Sequence, residues 1–402
     1  MRILQLAARL PYPLTDGGAI GIYKITESLA KLGNHITLLT FPDPDKDITQ
    51  AAIAEMSGFC DIKLTSRPLP KRSITIVRTL VRGAYAVERR EMKEMYELIS
   101  SVISSGKFDV VHCDHSHMGK YALWIKEKFG LPVVLRQHNV EAQIYERFAI
   151  HARNPAARLF GRIQSKRLHT EERRFVRGVD AIAAISEEDA NTMRAYAPNA
   201  RITVIPAGVD LDYFTPTDSA LENPNMVTWI GRFVWEPNTD AVTYFLHDIF
   251  PLILKERPST TFHIIGAGSD VIKHIASAFD DNVVIHGFVK DIREYLARSS
   301  VLIVPLRVGG GMRVKILEFC AAGKAIVSTT IGSEGNIGIK DRDMLLPDTP
   351  TEFAEAVITL LNNPEKRRLL ESNARTLAEN NYSWDSIGQR FSELYEDLIN
   401  RI

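Results

Sequence analysis

Val308-Gly309-Gly310-Gly311-Met312-Arg313-Val314-Lys315-Ile316-Leu317-Glu318-Phe319-Cys320-Ala321-Ala322 is the stretch from which the fold can be read. An apolar run, Val301 to Pro305, leads into three consecutive glycines, and a helical pattern opens directly after them. Glycines let the backbone approach a ligand closely and take up positive φ. A new helix N-terminus adds unpaired N–H groups and positive potential, which suits an anion. Arg313 and Lys315 bring cationic side chains for phosphate. The Glu318 carboxylate can accept two hydroxyl hydrogen bonds, as a ribose diol requires. The order Gly-Gly-Gly, Arg, Lys, Glu reads as a nucleoside diphosphate site, whereas the glycines alone would equally fit an ordinary βα turn.

The same alternation of short β-rich runs and longer helical patterns extends through the whole chain. In the first half the spacing predicts strands at 2–7, 35–40, 110–113, 133–137, 181–185 and 203–205, with helices at 18–32, 88–105, 118–129, 141–177 and 187–196. A turn-rich segment from Ala207 to Asn225 has linker composition. Strands then follow at 227–230, 262–265, 283–285, 301–304, 325–328 and 344–346. The helices between and after them are expected at 238–255, 270–279, 292–298, 314–322, 351–361, 365–380 and 384–402. Continuous apolar strands separated by helices imply parallel sheets covered on both faces. The fold class is therefore α/β, with two Rossmann-like doubly wound domains in series. The expected division is 1–207 with a returning helix at 383–402, and 208–382. In open α/β sheets ligands bind outside the carboxyl ends of strands, so a cleft between two such layers is the expected active site.

A length of 402 residues suits two or three domains, and 45% hydrophobic residues suffice for large cores. No apolar run reaches the ~18 residues needed to span a bilayer, and the start of the chain reads as a strand rather than a signal peptide. Cys60, Cys113 and Cys320 are too far apart for a metal set or a disulfide framework, which fits a reducing cytoplasm. The zero net charge hides an asymmetry. Residues 1–207 hold 30 Lys+Arg against 22 Asp+Glu, and the remainder holds 19 against 27. Lys71, Arg72, Arg78 and Arg82 flank apolar residues, and nine basic residues lie between Arg147 and Arg177. Such faces suit an anionic membrane surface, a phosphorylated acceptor, or simple solvation.

Several short segments carry a family resemblance that covers nearly the whole chain. They are Pro11-Tyr12-Pro13 with Asp16-Gly17-Gly18, Gln137-His138-Asn139-Val140-Glu141, Ile205-Pro206-Ala207-Gly208-Val209-Asp210, Ile230-Gly231-Arg232, Trp235-Glu236-Pro237-Asn238, Gly287-Phe288-Val289, the block Gly309–Glu318, and Tyr382-Ser383-Trp384. In this order and spacing the chain resembles the two-domain GT-B glycosyltransferases, within them the retaining family 4 type (glycosyl transferases group 1). The resemblance implies a C-terminal helix that crosses back to the first domain. It implies an acceptor-binding first domain and a second domain that binds a nucleotide-sugar donor, UDP ahead of GDP. Gly17 and Gly18 would face the donor, as would Arg232, Val289, Gly309, Gly310, Gly311, Met312, Arg313, Lys315 and Glu318. His138, Arg232 and Lys315 would act on the reaction, and Asp114 and His115 would touch the acceptor. The family's lysine five residues after the arginine is replaced by Pro237, so Arg313 or Lys315 must supply that charge. The first of the family's two glutamates falls on Gly310, which leaves no carboxylate there for the donor sugar.

A departing diphosphate develops negative charge that must be met in the transition state. Arg232, Arg313, Lys315 and a helix N-terminus could meet it, and Asp43-Pro44-Asp45 sits in an exposed turn, so no metal and no other cofactor is expected. Retention would proceed by same-face substitution, with the leaving phosphate taking the acceptor proton. The acceptor would be a glycan or lipid-linked glycan of cell-surface polysaccharide biosynthesis. The enzyme would be cytoplasmic, in peripheral contact with the inner face of the plasma membrane, and no nucleic acid is expected. Two other classes stay open. One is a binding or scaffold protein that has lost turnover. The other is a Rossmann oxidoreductase or epimerase, although Gly266-Ala267-Gly268-Ser269-Asp270-Val271 lacks the third glycine of that fingerprint.

Overall fold

The structure, a computed structural model, describes every residue except 15, 16, 72–74, 77, 78, 80–82, 152, 153, 309, 310 and 402, and leaves the side chains at 151, 219 and 280 undescribed. Gly309 and Gly310 therefore lie outside the described residues, as do Arg72, Arg78 and Arg82. The chain forms two compact units, Met1–Pro206 with Trp384–Ile402, and Ala207–Ser383. The expected divisions fall one residue away from these.

The first unit is built on β1 (Arg2–Ala7), β2 (His35–Thr40), β3 (Asp61–Leu64), β4 (Val110–Asp114), β5 (Val133–Gln137), β6 (Ala181–Ala184) and β7 (Ile202–Val204). All pairs are parallel, in the order β3-β2-β1-β4-β5-β6-β7. Successive residues of a strand face opposite sides of a sheet. Accordingly Leu4, Leu6, Val111, Val133 and Leu135 enter one apolar cluster, and Ile3, Ala7, Val110 and Val134 enter another. The second cluster is closed by the helix Trp384–Ile399, whose buried residues Ile387, Phe391, Leu394, Tyr395 and Leu398 recur at helical spacing on one face. That helix lies against the helix Gly17–Lys31 so closely that a Cβ at Gly388 would fall 2.7 Å from Ser28 Cβ.

The second unit contains β8 (Asn223–Ile230), β9 (Thr261–Ile265), β10 (Val283–Gly287), β11 (Ser299–Val304) and β12 (Ile326–Ser328), parallel in the order β10-β9-β8-β11-β12. Val227, Trp229, Val301 and Ile303 face one side, and Ile230, Leu302 and Val304 face the other.

The local expectations that differ from the structure include the following. The helix expected over 141–177 is two helices, Glu141–His151 and Pro155–Gly178; Asn154 caps the second, accepting from Ala156 N, with proline in its first turn. The helix expected over 238–255 contains a π-turn, Phe245–Ile249, just before Pro251, which cannot donate to a regular ladder. Residues 344–346 form isolated bridges only, Val327 to Leu345 and Lys340 to Met344. The helix Lys46–Met56 and strand β3 occupy a region where none was expected, and Asp45 of the supposed exposed turn caps that helix. Finally, β8 starts at Asn223, inside the segment read as linker; a proline is tolerated at the first residues of a strand.

Candidate active site

Strand order reverses between β1 and β4 in the first sheet and between β8 and β11 in the second. Such reversals open a crevice at the carboxyl ends of the strands. The segments that leave those ends carry most of the residues singled out above.

In the second unit, backbone groups lace the strand ends together. Gly231 N donates to the Ile265 carbonyl at 2.9 Å, and Gly266 N donates to the Gly287 carbonyl at 2.7 Å. Gly266 holds φ 150°, and a Cβ there would fall 1.6 Å from the Gly231 carbonyl oxygen. The Gly266-Ala267-Gly268 run is thus explained by strand-end packing, with no dinucleotide motif needed. Arg232 is exposed, and its carbonyl accepts from Asn238 Nδ2 at 2.8 Å. Asn238 Oδ1 in turn accepts from Lys315 Nζ at 3.5 Å. Lys315 lies over the Trp229 ring, 4.7 Å from its centroid. Burial and the nearby Arg313 lower the Lys315 ammonium to about 7, with Glu318 opposing. Burial raises the Glu318 carboxyl to about 7, with Lys315 opposing. Lys and Glu are therefore poised so that small changes in surroundings decide their charge.

Arg313 is 6% exposed. Its Nη1 donates to the Gly311 carbonyl at 2.8 Å, its guanidinium lies 5.2 Å from the Trp235 ring centroid, and Nη2 is 4.0 Å from Glu334. Gly311 takes φ 77°, which re-aims the chain into the helix Val314–Ala321. The turn at Gly335 passes so near Met312 that a Cβ there would lie 2.8 Å from Met312 Cα. Val289 is partly buried beside the same apolar cluster. Structure thus gathers Lys315, Asn238 and the Arg232 backbone into one network, and holds Gly311, Met312 and Arg313 in the neighbouring turn.

In the first unit, Gly17 and Gly18 open the helix Gly17–Lys31, and a Cβ on Gly17 would meet open space. Asp114, expected to touch the acceptor, has no exposed surface. Its Oδ1 lies 3.0 Å from Arg136 Nη1 and 2.5 Å from His138 Nε2, and its Oδ2 is 3.5 Å from His112 Nε2. Despite burial, Arg136 and His138 hold its carboxyl well below the usual range. Asp114 is thus enclosed by Arg136, His138 and His112, where it was expected to touch the acceptor. His138 follows β5 with its side chain 11% exposed. Burial, then Arg136, lower it to about 4, so the ring is neutral at pH 7. Its Nε2 is held between the Asp114 carboxylate, which can only accept, and Arg136 Nη1, 2.9 Å away, which can only donate. His112 Nδ1 meets the Tyr395 hydroxyl from the closing helix. His115 stacks on His117 and on His138, at centroid distances of 3.7 and 5.0 Å.

Asn238, Arg136, His112 and Tyr395 were not singled out from the sequence. His112 and Asp114 stand two apart on a strand and share a face, a signal that was available. Asn238 adjoins the Pro237 that breaks the family pattern. Tyr395 is 283 residues from His112, and nothing local links them. A cavity of 330 Å³ lies past the ends of β1 and β2, lined by Arg9, Tyr12, Pro13, Phe41 and Arg89. A larger one, 690 Å³, opens at the opposite, amino end of these strands among Arg2, Glu27, His35 and Phe59, away from this chemistry.

The descriptions "Glycosyltransferase Family 4" and "Glycosyl transferases group 1" match residues 15–213 and 224–363. The chain is 24% identical to MMP alpha-(1->4)-mannosyltransferase of Mycolicibacterium hassiacum over 100% of its own length and 99% of that protein. Its fold resembles sucrose-phosphate synthase of Thermosynechococcus elongatus, with TM-score 0.72 and 17% identity over 100% of both chains. It also resembles HepE of Anabaena, solved with UDP and glucose, with TM-score 0.63 and 15% identity over 99% of this chain and 100% of that one. With two Rossmann-like parallel sheets and a final helix that belongs to the first of them, the chain is a member of the GT-B glycosyltransferases of family 4, group 1, which draw on nucleotide-sugar donors.

Proposed function

We propose that the protein moves a hexose from a nucleoside-diphosphate sugar, UDP ahead of GDP, to a glycan or lipid-linked glycan in cell-surface polysaccharide synthesis, with retained anomeric configuration. The observation that carries this reading is the set Arg313, Lys315, Asn238 and Glu318 at the reversal point of the second sheet. A buried Arg313 and a half-buried Lys315 beside a turn of φ 77° suit a diphosphate, and Glu318 suits a ribose diol. A donor anion favours the charged form of Lys315, so binding itself completes the electrostatic site. The charge that develops on the leaving diphosphate is then met by Arg232, Arg313 and Lys315, which lets these side chains serve where other transferases place a metal. The UDP bound by HepE supports the choice of base.

His138, neutral and held at Nε2 by Asp114 and Arg136, keeps Nδ1 for a hydrogen bond with a sugar or acceptor hydroxyl. It orients that group while the leaving phosphate takes the proton, so the attack and departure share one face of the sugar. Arg9 and Arg89 in the 330 Å³ cavity suit an acceptor bearing phosphate. No helix among the described residues is long and apolar enough to cross a membrane. Peripheral contact is supported by the helices 141–151 and 155–178. There Phe148, Ile150 and Leu159 are 48%, 66% and 60% exposed beside Arg147, Arg158 and Arg162.

The test is a transfer assay with a panel of UDP- and GDP-sugars, on the intact chain and on Arg313→Ala and Lys315→Ala. Turnover with one donor and its loss in both variants is the expected result. Unchanged turnover in both variants would overturn the assignment of the diphosphate to these residues. Donor binding with no transfer would favour a scaffold, in keeping with Gly310 at the position of the first family glutamate.

A further inference from the structure

We propose that His115, His117 and Glu141 form a site for one divalent cation of the zinc class, adjoining His138. The three side chains come from two elements. His115 and His117 lie in the turn after β4, and Glu141 is the first residue of the helix Glu141–His151. His115 Nε2 stands 3.3 Å from one Glu141 oxygen, and His117 Nε2 stands 3.5 Å from the other. One ligand atom from each lies within 4.8 Å of the other two, and among the described residues no other three such side chains converge in this way. Two imidazoles and one carboxylate suit zinc and its neighbours, whereas magnesium and calcium take oxygen ligands.

Two features set this turn apart. Neither ring nitrogen of His117 makes a hydrogen bond although both are shut off from water, and buried polar atoms ordinarily find a partner. His115 turns at φ 83°, a conformation that costs free energy in a residue with a side chain and persists where function holds it. A cation would take up the His117 lone pair and tie both rings to Glu141. The three side chains are 15%, 11% and 11% exposed. A three-ligand site of this kind keeps a position for water or another oxygen. Because the His115 ring lies 5.0 Å from that of His138, the bound charge would sit beside the proposed orienting group.

The experiment titrates the chelator-treated full chain with Zn²⁺ alone by calorimetry, and with Co²⁺ for its visible absorption. One stoichiometric site is expected, together with the Co²⁺ spectrum of a four- or five-coordinate ion. His117→Gln and Glu141→Gln should each weaken Zn²⁺ binding by at least about tenfold. The second stacked histidine pair, His263 and His286, whose facing nitrogens are 2.9 Å apart, supplies the control, since His263→Gln should leave the affinity unchanged. Melting curves without metal establish that each variant folds; if Glu141→Gln does not, the wild-type titration and His117→Gln decide. Absence of a stoichiometric site in the wild type overturns the proposal. So does a site that survives both substitutions, or one that disappears in His263→Gln.

Discussion

The two sheets share one winding, with the first strand of each flanked by the second and the fourth, yet their tips are chemically unlike. At the end of β8 and β11, backbone groups and glycines dominate, and the charged side chains are cations gathered near one glutamate. At the end of β4 and β5, the groups are imidazoles, one guanidinium and fully buried carboxylate. The common winding fixes where a site can be, and the few residues after each strand decide what it can do. On the proposed reading the second tip would hold an anion, and the first would hold an imidazole ring.

The sharpest way to break this contrast is at the anion side. Arg313→Ala or Lys315→Ala should lower kcat/KM by ~10²–10³, the scale of losing one donor to developing charge, read by steady-state transfer kinetics. Next is the ring. Asp114→Asn removes the carboxylate that holds the His138 ring, and should lower kcat by ~10² while leaving donor affinity unchanged, as measured by transfer rates and donor calorimetry. An equal loss of donor affinity would mean that the two tips are not divided in this way.

A titration sharpens the comparison further. On the proposed reading donor binding needs Lys315 protonated and Glu318 ionised, and both are set to about 7. Affinity should therefore peak near neutrality. On the alkaline side the free site must take up a proton on Lys315 before it binds, and on the acid side Glu318 must release one. Lys315→Met should remove the alkaline limb. His138, at about 4, should contribute nothing to either limb. The smallest effect is structural. Gly388→Leu should force apart the helices Gly17–Lys31 and Trp384–Ile399, costing about 1–3 kcal/mol, read as a lower melting temperature.

The winding of both units was legible because buried parallel strands read as short apolar runs, and the strongest of them, β1, β2 and β5, have the ends expected from sequence. The strand β3 was not, because Asp61-Ile62-Lys63-Leu64 is a half-exposed edge with two charges. The helix over 141–177 was read as continuous because its polar and apolar residues keep helical spacing across Asn154-Pro155, where backbone chemistry rather than pattern dictates the break. At the site, Arg313, Lys315 and Glu318 announced themselves through one contiguous run. The burial of Asp114 was not legible, because a strand-end acid reads the same whether it meets solvent or a buried arginine. Tyr395 could not be seen at all, since its partner is distant in the chain.

The placement of Trp384–Ile399 has a consequence for biosynthesis. Ile387, Phe391 and Tyr395 finish an apolar face whose strands emerge from the ribosome within the first half of translation. Residues 1–206 thus wait, with that face uncovered, while the entire second unit is made. The half that begins first is completed last, and a fragment ending at Pro206 should need its missing helix fused back before it stays in solution.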